Sequence, residues 1–187
     1  MALTHDQTVI TNGVNVTELS KTIDALRRHP ELGAFQFRSK NSWLEGGHNR
    51  STIQGFSGCG KEDETRAEPF IFDADEPPML HGGDNGANPV EFVLHALGAC
   101  MTTTMVYHAA SRGIEIGAVS SELEGDIDVR GFMGLSDDVR KGYHDVRVKM
   151  RVQSNASPDQ LAQLAKYSPV YDVVSNSLPV HVHIETY

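Results

Sequence analysis

The chain has two cysteines, Cys59 and Cys100, among its 187 residues. Two thiols are too few for a disulfide scaffold and too few for a thiolate zinc site. A reducing, cytoplasmic compartment is therefore the expected setting. Two is also the minimum for a dithiol cycle, so the count leaves thiol chemistry open. Basic residues are scarce as well: 16 Lys and Arg stand against 25 Asp and Glu, for a formal charge of −9. That balance argues against nucleic acid or an anionic membrane surface as a partner. The first residues lack a basic segment followed by an apolar one, so no secretory signal is expected. No apolar run approaches the roughly 20 residues that cross a bilayer. The longest, residues 92–101, contains His95 and stops at three threonines, Thr102 to Thr104. Phosphate-loop patterns are missing too. The glycine-rich stretch at residues 81–86 (HGGDNG) is acidic and lacks GxGxxG or GK[ST], so it reads as a turn into a helix. Asp73, Asp75, Glu76 and Asp84 lack EF-hand spacing and read as a solvated edge. His181 and His183 stand two apart with no third ligand nearby, so no metal is expected, and nothing calls for another cofactor.

What is present is an ordinary globular composition, 39% apolar and 22% charged, with clear element signals. A helix is expected over 17–28, with Thr17 as its N-cap and Pro30 beyond its end. Residues 34–44 and 48–56 read as strands joined around Gly46-Gly47, followed by a loop over 55–66 and a short strand over 69–75. A long helix is expected from 89 to about 112, with Asn88 as N-cap, Pro89 at its first position and Gly113 as its C-terminal glycine. Strands follow over 114–131 and 143–153, then a helix over 157–167, a helical turn over 169–175 and a terminal strand over 178–187. Strands, helix, strands, helices, strand is an α+β order rather than an alternating βαβ one. The expected organisation is an N-terminal extension with a short helix, residues 1–32, and one domain, residues 33–187. The long helix is apolar on nearly every side, and one sheet covers only one side. A second copy of the chain is the simplest source of the remaining cover, so a homodimer is expected.

Cys100 sits in that helix. At 100° per residue it shares a face with Val93, Ala96, Leu97, Thr103, Thr104 and Tyr107. Glu91, nine positions earlier, points to the opposite side. His95 and His108 are displaced as well, so no base or cation on the helix activates the thiol. An apolar setting disfavours a thiolate, and a reactive cysteine here needs a cation from another segment or from a partner chain. Two readings stand at this point: a packed structural cysteine, and a sulfur nucleophile in an apolar pocket.

Three features together resemble the OsmC/Ohr family of bacterial thiol-dependent organic hydroperoxide peroxidases. They are GGDNGANPVEFVLHALGAC leading into the long helix, the strand meander after it, and YSPVYDVVSNSLPVHVHI near the C-terminus. The resemblance implies an α+β intertwined homodimer, with antiparallel sheets wrapped around long central helices. It implies that Cys100 attacks the O–O bond of a small hydrophobic hydroperoxide, and that an arginine of the N-terminal hairpin holds its thiolate. Arg50 is the best match for that arginine, and Arg38 is the second choice. The family's glutamate position reads Val90 here, with Glu91 one step round the helix. The family's second cysteine reads Ser168, and a hydroxyl cannot close a disulfide on a sulfenic acid. Either Cys59 serves as a displaced resolving thiol, against the acids that follow it, or an external thiol reductant does the work. The implied pocket comprises Val93, Leu97, Thr103, Thr104, Tyr107 and Ser168. Two other functions remain open: a redox-inactive binding protein that kept the pocket, and a one-cysteine enzyme acting on a non-peroxide electrophile.

Overall fold

The computed structural model describes residues 8–186. They fall into two compact units. The first holds Asn15–Val93 and the residues before Thr11; the second holds Leu94 onward together with Thr11–Val14. The start of the expected N-terminal extension, residues 1–7, lies outside the described range. Where described, the extension is structured. Strands β1 (Ile10–Thr11) and β2 (Val14–Asn15) pair around Asn12 and Gly13, whose φ of 53° and 76° make a hairpin turn. That turn fixes the start of α1 (Val16–Arg28). Its N-cap is Asn15, which accepts the Glu18 N–H. Thr17, expected as the cap, instead accepts the Val9 N–H through its hydroxyl.

The two long strands expected in the first unit are each broken in two. They become β3 (Phe35–Phe37) with β4 (Lys40–Glu45), and β5 (His48–Ile53) with β6 (Phe56–Gly58). The expected loop holds a further short strand, β7 (Lys61–Asp63), and β8 (Phe70–Ala74) follows. The breaks at Arg38-Ser39 and Gln54-Gly55 pass the chain between two antiparallel sheets, β4-β5-β8 and β3-β6-β7. The β6–β7 hairpin turns on Cys59 and Gly60, both left-handed, with φ of 52° and 75°. On the smaller sheet the rings of Phe35, Phe37 and Phe56 stack, and the Arg66 guanidinium lies over Phe56 and Phe70.

Helix α2 (Pro89–Ala110) starts in the first unit and runs through the second. Leu97, Met101, Met105 and Ala109, four apart, form the stripe that enters the core of the second unit. Gly98 lies beside the stripe, where a Cβ would press on Leu123 at 2.9 Å. The stripe packs on strands β9 (Ile116–Asp126) and β10 (Asp145–Ser154), an antiparallel pair. Val146, Val148, Met150 and Val152 face inward, while Arg147 and Lys149 stand outward, opposite Glu124 and Glu122. The strand expected over 114–131 ends early because Asp128 caps a helical turn, α3 (Val129–Phe132), by accepting the Arg130 N–H. α4 (Pro158–Ala165), capped by Ser157, adds Leu161, Leu164 and Ala165 to the core; α5 (Pro169–Ser175) follows. The expected terminal strand does not form: residues 178–186 pair with nothing described, and Leu178, Val180, Val182 and Ile184 are 55 to 79% exposed. Among the described residues α2 is the one helix long and apolar enough to cross a membrane. Its buried stripe marks it as a core helix. The architecture is α+β with antiparallel sheets, as the element order implied.

Candidate thiol site

The start of α2 is built from a loop held by one buried carboxylate. Asp75, 1% exposed, accepts hydrogen bonds from the backbone N–H groups of Glu76, Gly83 and Asn85 and from the Asn85 side-chain amide. The Asn85 amide first, and then the backbone donors, hold its carboxyl below the usual aspartate range against the opposing effect of burial. The glycines of this loop are there for space: a Cβ on Gly82 would run into the Glu76 carbonyl, and one on Gly86 into the Asp73 carbonyl. Asn88 then caps α2 in a reciprocal box. Its side chain accepts the Val90 N–H at 2.9 Å, and Glu91 accepts the Asn88 N–H at 2.9 Å. The Asn88 amide also donates to Glu76, and Phe92 meets Phe72 of β8 edge-on. Glu91 is thus engaged in capping the helix.

Cys100 lies three turns along, half-buried on the flank of the core stripe, and its sulfur takes part in no hydrogen bond among the described residues. The other residues of its face have different surroundings. Leu97 is in the core, Thr104 is half-buried, and Val93, Thr103 and Tyr107 are exposed. Thr103 shares an open groove with His95, Gly98 and Leu123. Ser168 is 1% exposed, and its hydroxyl accepts the Tyr171 N–H at 3.1 Å as the N-cap of α5. Position 168 therefore has a structural use for an oxygen. Cys59 is exposed at the tip of the β6–β7 turn.

Arg50 and Arg38 are each held by a carboxylate from another strand. Arg50 stands opposite Asp73 in the β5–β8 register and donates to it through Nε (2.8 Å) and Nη2 (3.0 Å). His48 Nε2 approaches the same carboxylate at 3.2 Å. The Arg50 hydrogen bonds, with a smaller contribution from His48, hold Asp73 below the ordinary carboxylate range. Arg38 makes the equivalent double contact with Glu62, at 2.8 and 2.7 Å. The surroundings of His108 were not foreseen from the sequence. The His108 ring stacks on Tyr167 with centroids 4.5 Å apart, and its Nδ1 accepts from Arg112 at 3.0 Å. Burial first and then the Arg112 charge hold this imidazole below its usual range. The four-residue spacing from His108 to Arg112 was the available signal. Among the described residues no three His, Cys, Asp or Glu side chains cluster as a metal site would need.

A capped apolar helix bearing a half-buried thiol, packed on an antiparallel hairpin and two short helices, defines an α+β thiol-bearing class. Residues 82–184 match the family model described as OsmC-like protein. That is more than half of the chain, and the chain belongs to the OsmC family. No curated protein matches it. Among solved structures it is similar to an OsmC-like protein from Mycoplasma pneumoniae, with a TM-score of 0.57 at 15% identity over 76% of this chain and 89% of that one. It is also similar to an OsmC-like protein of unknown function from Vibrio cholerae, with a TM-score of 0.54 at 9% identity over 73% and 92%. A third is a putative osmotic stress induced and detoxification response protein from Psychrobacter arcticus, with a TM-score of 0.52 at 15% identity over 71% and 83%. At these identities the structures establish the shared fold.

Proposed function

We propose that the chain is a homodimeric, cytoplasmic thiol peroxidase that reduces small hydrophobic organic hydroperoxides through Cys100. The observation that carries this reading is the half-buried Cys100 on the core helix of an OsmC-family chain. In the proposed step the Cys100 thiolate attacks the terminal oxygen of the hydroperoxide. The S–O bond forms as the O–O bond breaks, the departing alkoxide takes up a proton and leaves as the alcohol, and the sulfur is oxidised to a sulfenic acid. Arg50 is assigned to hold the thiolate and the peroxide oxygen. Its anchoring by Asp73 supports that role, because a guanidinium held along one edge keeps its remaining N–H groups oriented.

Ser168 leaves no thiol at the usual second position, so the return half of the cycle is assigned to an external thiol. One thiol condenses with the sulfenic acid to release water and form a mixed disulfide, and a second displaces it, giving a free disulfide and reduced Cys100. Cys59 is the intramolecular alternative. The dimer is supported by the many large apolar side chains this chain exposes, Trp43, Phe37, Met79 and Leu135 among them. The deciding experiment follows Cys100 oxidation by cumene hydroperoxide and by hydrogen peroxide, with intact mass of the products. Fast, selective gain of one oxygen supports an external reductant, and loss of two hydrogens in a Cys59–Cys100 disulfide supports the internal one. A thiol no faster than free cysteine overturns the peroxidase.

A further inference from the structure

We infer that the second unit carries a binding site, separate from Cys100, for a single-chain apolar carboxylate. A cavity of 560 Å³ opens between α2, β10, α4 and α5. Ligand pockets commonly run from about 300 to 1,000 Å³. Its wall is aliphatic and rich in methionine, with Met101 and Met105 from α2, Met150 from β10 and Leu161 from α4. Methionine walls adapt to flexible apolar ligands because the side chain is unbranched and polarisable. Three polar residues line the cavity, and two of them, Lys166 and Tyr171, make no ion pair or side-chain hydrogen bond among the described residues. Ser154, also at the wall, is occupied with the Glu115 carbonyl and the Ala156 N–H. No carboxylate lines the space.

This distribution selects a ligand. An apolar cation would find no counter-charge, and a neutral hydrocarbon would leave the lysine and the phenol idle. A chain ending in a carboxylate places its tail among the methionines and its head where one cation and one hydroxyl can both donate. Cys100 does not line the cavity, so the site stands whether or not the thiol reduces peroxides.

The test is calorimetric titration of the full-length protein with decanoate, decanol and decyltrimethylammonium. Decanoate should bind saturably, decanol about tenfold more weakly and the ammonium compound not at all, since a hydrogen bond to a charged group discriminates by about that factor. Lys166→Gln should weaken decanoate about tenfold while leaving decanol unchanged. Met150→Trp, which fills the cavity, should abolish both. Cys100→Ser should keep decanoate binding while losing any reaction with peroxide, which separates this site from the thiol chemistry. Decanoate binding indifferent to Lys166→Gln, or lost in Cys100→Ser, overturns the inference. So does the absence of saturable binding to folded protein, the outcome expected if the apolar terminal segment of a second copy fills the cavity.

Discussion

At the scale of single residues, two oxygen-bearing side chains do structural work. The Ser168 hydroxyl caps α5. Ser168→Ala should cost about 1 kcal/mol in chemical denaturation and leave the peroxide reaction of Cys100 unaltered, because an external thiol completes the cycle; a slowed Cys100 would show that the serine acts on the thiol. Asp75 is the second. Its carboxyl is held below the aspartate range by hydrogen bonds, so its folded value lies under its unfolded one. The stability it contributes is then present above the unfolded value, near 3.9, and is lost as pH falls through the folded value. Asp75→Asn should therefore be less stable than the parent at neutral pH, and the gap should narrow as acid unfolding is approached, read by circular dichroism against pH. A gap that widens in acid would contradict this. These roles were illegible in the sequence for a plain reason. Asp75 reads as one more acid in a cluster until the chain folds back and points Gly83 and Asn85 at it. Arg50 was singled out only by resemblance, since its partner Asp73 is assigned by strand register 23 residues away.

At the scale of elements, legibility followed the length and regularity of the signal. α2 could be read because both ends carry their own chemistry: Asn88 and Pro89 at the start, Gly113 at the finish. The Ile114 N–H reaches the Ala109 carbonyl at 2.9 Å and the Gly113 N–H reaches that of Ala110 at 3.0 Å, with Gly113 at φ 68°. Gly113→Ala forces a Cβ into the left-handed region and should cost about 1 kcal/mol, measured by thermal melting. β10 was legible from its alternation of Val146, Val148, Met150 and Val152 against charged neighbours. The short hairpins were not, because two- and three-residue strands carry no period; Asn12-Gly13 was a turn signal set in a stretch too short to show alternation. The terminal segment shows the reverse case. Its alternation of Leu178, Val180, Val182 and Ile184 is plain, and the described chain gives it no strand to pair with.

At the scale of the molecule, exposed apolar area is the main fact. Phe37, Trp43, Met79, Leu135 and the terminal Val180, Val182 and Ile184 are each at least 70% exposed, and large exposed apolar surfaces mark interaction sites. Sedimentation velocity should give a species of twice the 20.5 kDa chain mass. Adding salt should leave it associated, because burial of apolar surface is not screened as charge contacts are; a monomer at micromolar concentration would refute the dimer.

Asn12 links the beginning of the chain to its middle. Its side chain donates to the Ile114 carbonyl and accepts the Ile116 N–H, both at 2.9 Å, across more than a hundred residues. Thr11–Val14 are made long before β9 but belong to the second unit, so Asn12 finds its partners only once the chain has reached β9. The second unit thus includes a segment made before the whole of the first unit's Asn15–Val93 stretch. Loss of the Asn12 side chain would thus be felt not only where it is made but at the start of β9.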